Sequence, residues 1–74
     1  MYIKNTLYEV GIYNKYVRQR IREGDDDLMG LDPSWEHTLL FEVHAVNENQ
    51  AIQKMQINYP ERAGFVIDGV LIVK

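Results

Sequence analysis

The chain has 74 residues, with 8 Lys+Arg against 11 Asp+Glu, two His and no Cys, which allows one small domain spanning residues 1–74. Without Cys there is no disulfide, no thiolate zinc site and no thiol nucleophile. The net charge of -3 argues against a strongly basic nucleic-acid binder, and 46% hydrophobic residues lie well above the disordered range.

A domain of this size buries only about 60% of its unfolded surface, so the core is expected to be thin. The N-terminus shows no basic segment followed by a long apolar run. The longest unbroken aliphatic stretch, Val70 to Val73, is far short of the roughly 20 residues a spanning helix needs. The expectation is a protein without a membrane span, with the cytoplasm as its default location. Charge is unevenly spread: residues 1–23 carry +3, residues 24–49 carry -7 with no Lys or Arg, and residues 50–74 carry +1. Such blocks pair internally or face different partners.

Residues 6–13 read as a strand. Tyr8, Val10 and Ile12 lie on one face, and Leu7, Glu9, Gly11 and Tyr13 on the other. Gly11 marks a bulge or a close neighbour. Residues 14–23 read as a short helix, with Asn14 as N-cap and Gly24 as the stop; continuation of the strand to Arg22 is the alternative. Val17 and Ile21 form its apolar stripe, while Lys15, Arg18 and Arg22 share another face. Residues 24–34 form a loop rich in Gly, Asp and Pro. Its Leu28, Met29 and Leu31 predict that part of it folds back over the core.

Residues 36–46 read as the second strand. His37, Leu39, Phe41, Val43 and Ala45 oppose Glu36, Thr38, Leu40, Glu42 and His44, as in a sheet covered on one side. Residues 48–59 read as a helix capped by Asn47, with Gln50 completing a capping box and Pro60 ending it. Ala51, Ile52, Met55 and Tyr59 form its core stripe, and Ile57 points away. Residues 65–73 read as a third strand, apolar on both faces. Strict alternation sets Phe65, Ile67, Leu71 and Val73 against Val66, Val70 and Ile72. The fold expected is α+β in the order β-α-β-α-β, a three-stranded sheet with the second helix on one face. The second and third strands should run the same way, with the first antiparallel between or beside them.

No catalytic set emerges. His37 and His44 are seven apart on one strand and so on opposite faces, unable to share a metal ion. His37 reads as a partly buried strand-end residue. His44, beside Glu42, reads as part of an exposed polar face rather than an acid–base pair. Asp25-Asp26-Asp27 lacks the alternating spacing and closing Glu of a calcium loop and reads as a solvated acidic turn. No phosphate-binding glycine pattern and no nucleophile-elbow motif is present. No metal, cofactor or catalytic residue is therefore expected.

Trp35, after Asp32-Pro33-Ser34, is either a lid on the core or an exposed anchor for a partner. Two-sided apolarity of the third strand, with Leu40 and Ile57 on otherwise polar faces, suggests a contact surface. The candidate partner-binding residues are Trp35, Leu40, Ile57, Val66, Val70 and Ile72. Val66, Val70 and Ile72, with Leu40 nearby, are expected to form a bare patch closed by a homodimer or another protein. The alternative is weak nucleic-acid binding through Lys15, Arg18 and Arg22, with Tyr13 and Tyr16 beside them. Its bland counterpart is a solvated helix face pairing with the acidic loop. A small enzyme is the least favoured class, because so short a chain offers little room for a pocket of ~300 Å3 or more.

One run of residues, Tyr8-Glu9-Val10-Gly11-Ile12-Tyr13-Asn14-Lys15-Tyr16-Val17-Arg18, then Glu23-Gly24, then Asp32-Pro33-Ser34-Trp35-Glu36-His37, resembles small proteins of bacteria and their phages, cyanobacterial ones included. Ala51 through Tyr59-Pro60 and Gly64-Phe65-Val66-Ile67 fit the same pattern. The resemblance covers most of the chain and implies an origin and an architecture, with no assigned activity.

Overall fold

The computed structural model describes residues 4–74. Its elements are β1 (Thr6–Asn14), α1 (Lys15–Arg22), a 3-10 turn at Pro33–Glu36, β2 (Leu39–Ala45), α2 (Glu48–Asn58), a second 3-10 turn at Glu61–Ala63 and β3 (Phe65–Ile72). The fold is α+β in the expected β-α-β-α-β order. The sheet order is β2-β1-β3, and β1 pairs antiparallel with both neighbours, so β2 and β3 run the same way on either side of it.

One face of the sheet carries the core. Tyr8, Val10 and Ile12 of β1 pack with Ala45 of β2 and with Ala51 and Met55 of α2; Phe41, Val43, Tyr59, Phe65, Ile67, Val70 and Trp35 surround them, half-buried. Full burial of a side chain such as Val10 or Ile12 stabilises the fold by about 1.5–3 kcal/mol. The stripe on α2 follows from its 3.6-residue period. Asn47 Oδ1 accepts from the Gln50 amide at 2.8 Å. The Gln50 side chain reaches one residue further back than a standard capping box, accepting from the Val46 amide at 2.8 Å.

The face assignment of β3 departs from strict alternation. Gly11 lies opposite Gly69 and Ile12 opposite Ile67, so Asp68 is an extra residue, a β-bulge. The bulge reverses the phase of everything after it. Val70, opposite Val10, packs on the core, and Ile72 lies opposite Tyr8; Leu71, expected under the helix, lies opposite Glu9 on the far face and is 66% exposed. The expected patch of Val66, Val70 and Ile72 on one face therefore does not exist. Gly11 is the close-approach position its type suggests. A Cβ there would lie 2.8 Å from Thr38 Cγ2 and 2.9 Å from Asp68 Oδ1, because Thr38 donates to Asp68 at 2.5 Å across the central strand.

Asn14 joins β1 to α1. It is fully buried; its Oδ1 accepts from the amides of Tyr16 and Val17 at 3.0 and 3.1 Å, and its Nδ2 donates to the Ala63 carbonyl at 3.1 Å. The Lys15 amide donates to the Gly64 carbonyl beside it. Gly64 has φ of 96°, and a Cβ there would collide with the Tyr16 ring, so the junction requires glycine.

Three further expectations are corrected. Residues 33–36 form a 3-10 turn instead of leading directly into the strand: Asp32 caps it through the Ser34 amide at 2.8 Å and Pro33 occupies its first turn. His37, just beyond, is exposed, its side chain 77% accessible and 3.2 Å from Glu36. The loop's apolar residues do not join the core: Leu28 and Leu31 are half-buried and Met29 is exposed. α1 rests against the Pro33–Glu36 turn.

Candidate interaction surface

A three-stranded open sheet has two edges, and here they differ. Backbone direction alternates along each strand. Two bonds fix the phase: the Val73 amide donates to the Leu7 carbonyl, and the Lys15 amide to the Gly64 carbonyl. Leu7, Glu9, Gly11 and Tyr13 thus direct their backbone groups at β3, and Tyr8, Val10 and Ile12 direct theirs at β2. It follows that Leu40, Glu42 and His44 project their amides and carbonyls from the edge of β2. Phe65, Ile67, Val70 and Ile72 project theirs from the edge of β3.

Side chains of α2 cover the C-terminal end of the β2 edge; among the described residues no side chain bonds the outward groups of Leu40 or Glu42. Lys54 Nζ donates to the outward carbonyl of His44 at 2.7 Å, and Gln50 takes the amide of Val46 just beyond the strand. A lysine on an edge strand is a common defence against strand addition. Among the described residues, no side chain bonds the outward groups of Phe65 or Ile67, and no strand pairs with them. Among the described residues the β3 edge is unpaired, and the Asp68 bulge interrupts it.

Beside that edge lies a groove of about 360 Å3, lined by Ile52 and Gln56 of α2, by Tyr59 just after it and by Phe65, Val66 and Ile67 of β3, with Lys15 and Glu61 also on its lining. It exists because α2 sits over β2 and β1 more than over β3. It is larger than a chain of this length was expected to offer. One wall is shared with a four-ring cluster: Trp35 lies 5.0 Å from Phe65, 5.4 Å from Tyr59 and 5.9 Å from Phe41, centroid to centroid, and Tyr59 lies 5.3 Å from Phe65. Ring pairs at such distances contribute about 0.5–1.5 kcal/mol each beyond area burial. They hold Tyr59 and Phe65 in fixed orientations along the groove.

The sequence-expected partner residues do not come together. Trp35 is a half-buried lid over the ring cluster. Val66 lines the groove margin. Val70 belongs to the core, and Ile72, 55% exposed, lies at the far end of the same face. Leu40, 64% exposed, is on the opposite face, and Ile57, 79% exposed, is on the outer side of α2. Phe65, Ile67 and Ile52, assigned to the core by periodicity, are the groove residues that sequence reasoning did not single out. Nothing local distinguishes a core position from a groove position when a helix covers a sheet off-centre.

The basic residues are partly committed. Arg18 stacks on Tyr13, its guanidinium carbon 3.6 Å from the ring centroid, while its Nε donates to the Glu36 carbonyl at 2.8 Å. Lys15 stands 5.4 Å over Tyr16, and Arg22 is exposed. The acidic loop is met by Arg20, 3.6 Å from Asp25 and 3.7 Å from Asp27, rather than by these three. The Ser34 amide, then its hydroxyl, hold the Asp32 carboxyl below its ordinary value. Among the described residues no three His, Asp or Glu side chains converge as metal ligands, and no helix is long and apolar enough to cross a membrane.

No protein-family model, curated protein or solved structure matches the chain.

Proposed function

We propose that the protein is a non-enzymatic interaction module, an accessory or regulatory protein of bacterial or phage origin, that takes an extended segment of another protein as a fourth strand on β3. The observation that carries this is the groove that runs beside the unpaired backbone of Phe65 and Ile67 on β3. α2 places Lys54 and Gln50 over the C-terminal end of β2 and leaves the amides and carbonyls of Phe65 and Ile67 free beside an apolar groove. An added strand would exchange main-chain hydrogen bonds with Phe65 and Ile67, and its residues opposite these two would turn their side chains toward the groove. Main-chain bonds would supply affinity, and the groove would select apolar side chains at alternate positions.

The test is selection of binders from a displayed peptide library, followed by amide hydrogen exchange. In the free protein the amides of Phe65 and Ile67 should exchange fast, and a selected peptide should protect them. Ile67→Pro removes the outward amide and Ile67→Ala keeps it, while both lose the same packing. Only the proline variant should abolish peptide binding. Peptides that protect no amide of β3, or that bind both variants alike, would refute the reading.

A further inference from the structure

The second face of the sheet has no covering layer within the described chain. Its ladder reads His44–Leu7 in one row, Glu42–Glu9–Leu71 in the next and Leu40–Gly11–Gly69 in the third. Leu40 and Leu71 are 64% and 66% exposed there. Between them Glu9 and Glu42 stand directly opposite each other, in a pair whose backbones do not bond one another and whose side chains are therefore close. Like charges so placed are unfavourable. Asp68, turned onto this face by the bulge, adds a third carboxylate beside Gly11. Among the described residues none of the three meets a Lys or Arg. A cationic partner would relieve this repulsion.

We infer that this face docks a basic amphipathic helix of a partner protein, with Lys or Arg set among apolar residues. Three strands ~4.8 Å apart give a width that one helix of ~10–12 Å diameter covers. Such a helix would mirror α2 and complete the layer that α1, leaning on the Pro33–Glu36 turn, does not supply. Its cations would meet Glu9, Glu42 and Asp68, and its apolar positions would cover Leu40 and Leu71. A second copy of this chain packed face to face would set Glu9 and Glu42 against their own equivalents, an arrangement that like-charge repulsion disfavours. The inference does not depend on strand addition at β3, which uses the opposite face and an edge.

The test is titration, by fluorescence anisotropy, of a labelled 18-residue amphipathic peptide of Leu and Lys, against its Leu/Glu counterpart and a scrambled Leu/Lys peptide with no apolar stripe. The Leu/Lys helix should bind. Affinity should fall at least tenfold in the double variant Glu9→Gln/Glu42→Gln, whose melting temperature should hold or rise, and at least tenfold in Leu40→Ser/Leu71→Ser. It should be unchanged in Ile57→Ser and in Asp25→Asn/Asp26→Asn/Asp27→Asn. Equal binding of the Leu/Glu or scrambled peptide would overturn the inference. So would binding indifferent to both double variants or lost with the acidic loop, or self-association of the free chain that Leu40→Ser/Leu71→Ser abolishes.

Discussion

Replacing Asn14 tests the junction on which the architecture turns. Its carboxamide fills two roles: the oxygen caps α1 through the amides of Tyr16 and Val17, and the nitrogen holds the Ala63 carbonyl at the end of the 3-10 turn that precedes β3. Loss of an N-cap to alanine costs about 0.5–2 kcal/mol. Leaving a buried acceptor without its donor costs about 1–3 kcal/mol. Asn14→Ala should thus destabilise the protein by about 2–4 kcal/mol. At roughly 4–8 °C per kcal/mol for a domain of this size, that is a fall in melting temperature of about 10–30 °C. Asn14→Ser and Asn14→Asp keep a capping oxygen but cannot donate to Ala63 as the amide does, so each should recover only part of the loss. Urea titration followed by the fluorescence of Trp35, whose ring packs on Phe65 just after the junction, reads all three. A change below about 0.5 kcal/mol in Asn14→Ala, or wild-type stability in the serine and aspartate variants, would show that the cap and the Ala63 bond do not hold the two halves together.

Three more outcomes follow from the same geometry. Val70→Lys should destabilise by more than about 2 kcal/mol, because it forces a charge against the core, while Leu71→Lys should stay within about 0.5 kcal/mol; the reverse order in thermal melts would remove the bulge. Met55→Ala should cost about 2–5 kcal/mol and Ile57→Ala less than about 0.5 kcal/mol, both read by urea denaturation, and equal values would misplace the buried face of α2. Asp32 should titrate below its ordinary value by carbon-detected NMR. Since its carboxyl is depressed in the folded state, its contribution is present at neutral pH and is lost as pH falls through the folded value. Ser34→Ala should move that titration part of the way back, because the hydroxyl bond goes and the amide bond stays.

Most of the architecture was legible because it rests on local signals. Alternation in residues 6–13 located β1, Asn14 and Gly24 bracketed α1, and Asn47 with Pro60 bracketed α2, each through a group that the chain itself must satisfy. The 3-10 turn was signalled by Asp32-Pro33-Ser34 but was absorbed into the following strand, since Glu36 and His37 continue an alternating pattern with no structural meaning. The bulge was signalled by Asp68-Gly69, a turn-forming pair inside an apolar run. The run is apolar on both sides, so no residue contradicts either phase, and the shift becomes visible only when Gly11 is set opposite Gly69. Gly11 was the nearer clue: its need for space belonged to Asp68 and Thr38, which reach over it from opposite sides.

The candidate surfaces were less legible because they depend on where α2 rests, which no single residue states. The same lateral placement has two effects. Leaning toward β2, the helix brings Lys54 within 2.7 Å of an edge carbonyl and covers the end of that edge. Leaning away from β3, it opens the groove between Ile52 and Ile67 and leaves the outward backbone of Phe65 and Ile67 uncovered. Periodicity reports which side of α2 is apolar but not how far that side is shifted across a sheet three strands wide. The contrast between an edge covered at its end and one that borders a groove is a property of the assembled layers. The aromatic residues that hold it in place, Trp35, Tyr59 and Phe65, come from three separate parts of the chain. A shift of α2 toward β3 would fill the groove and withdraw Lys54 and Gln50 from β2 in one movement. The two edges are therefore set together, and the ring cluster at the end of α2 is what fixes their difference.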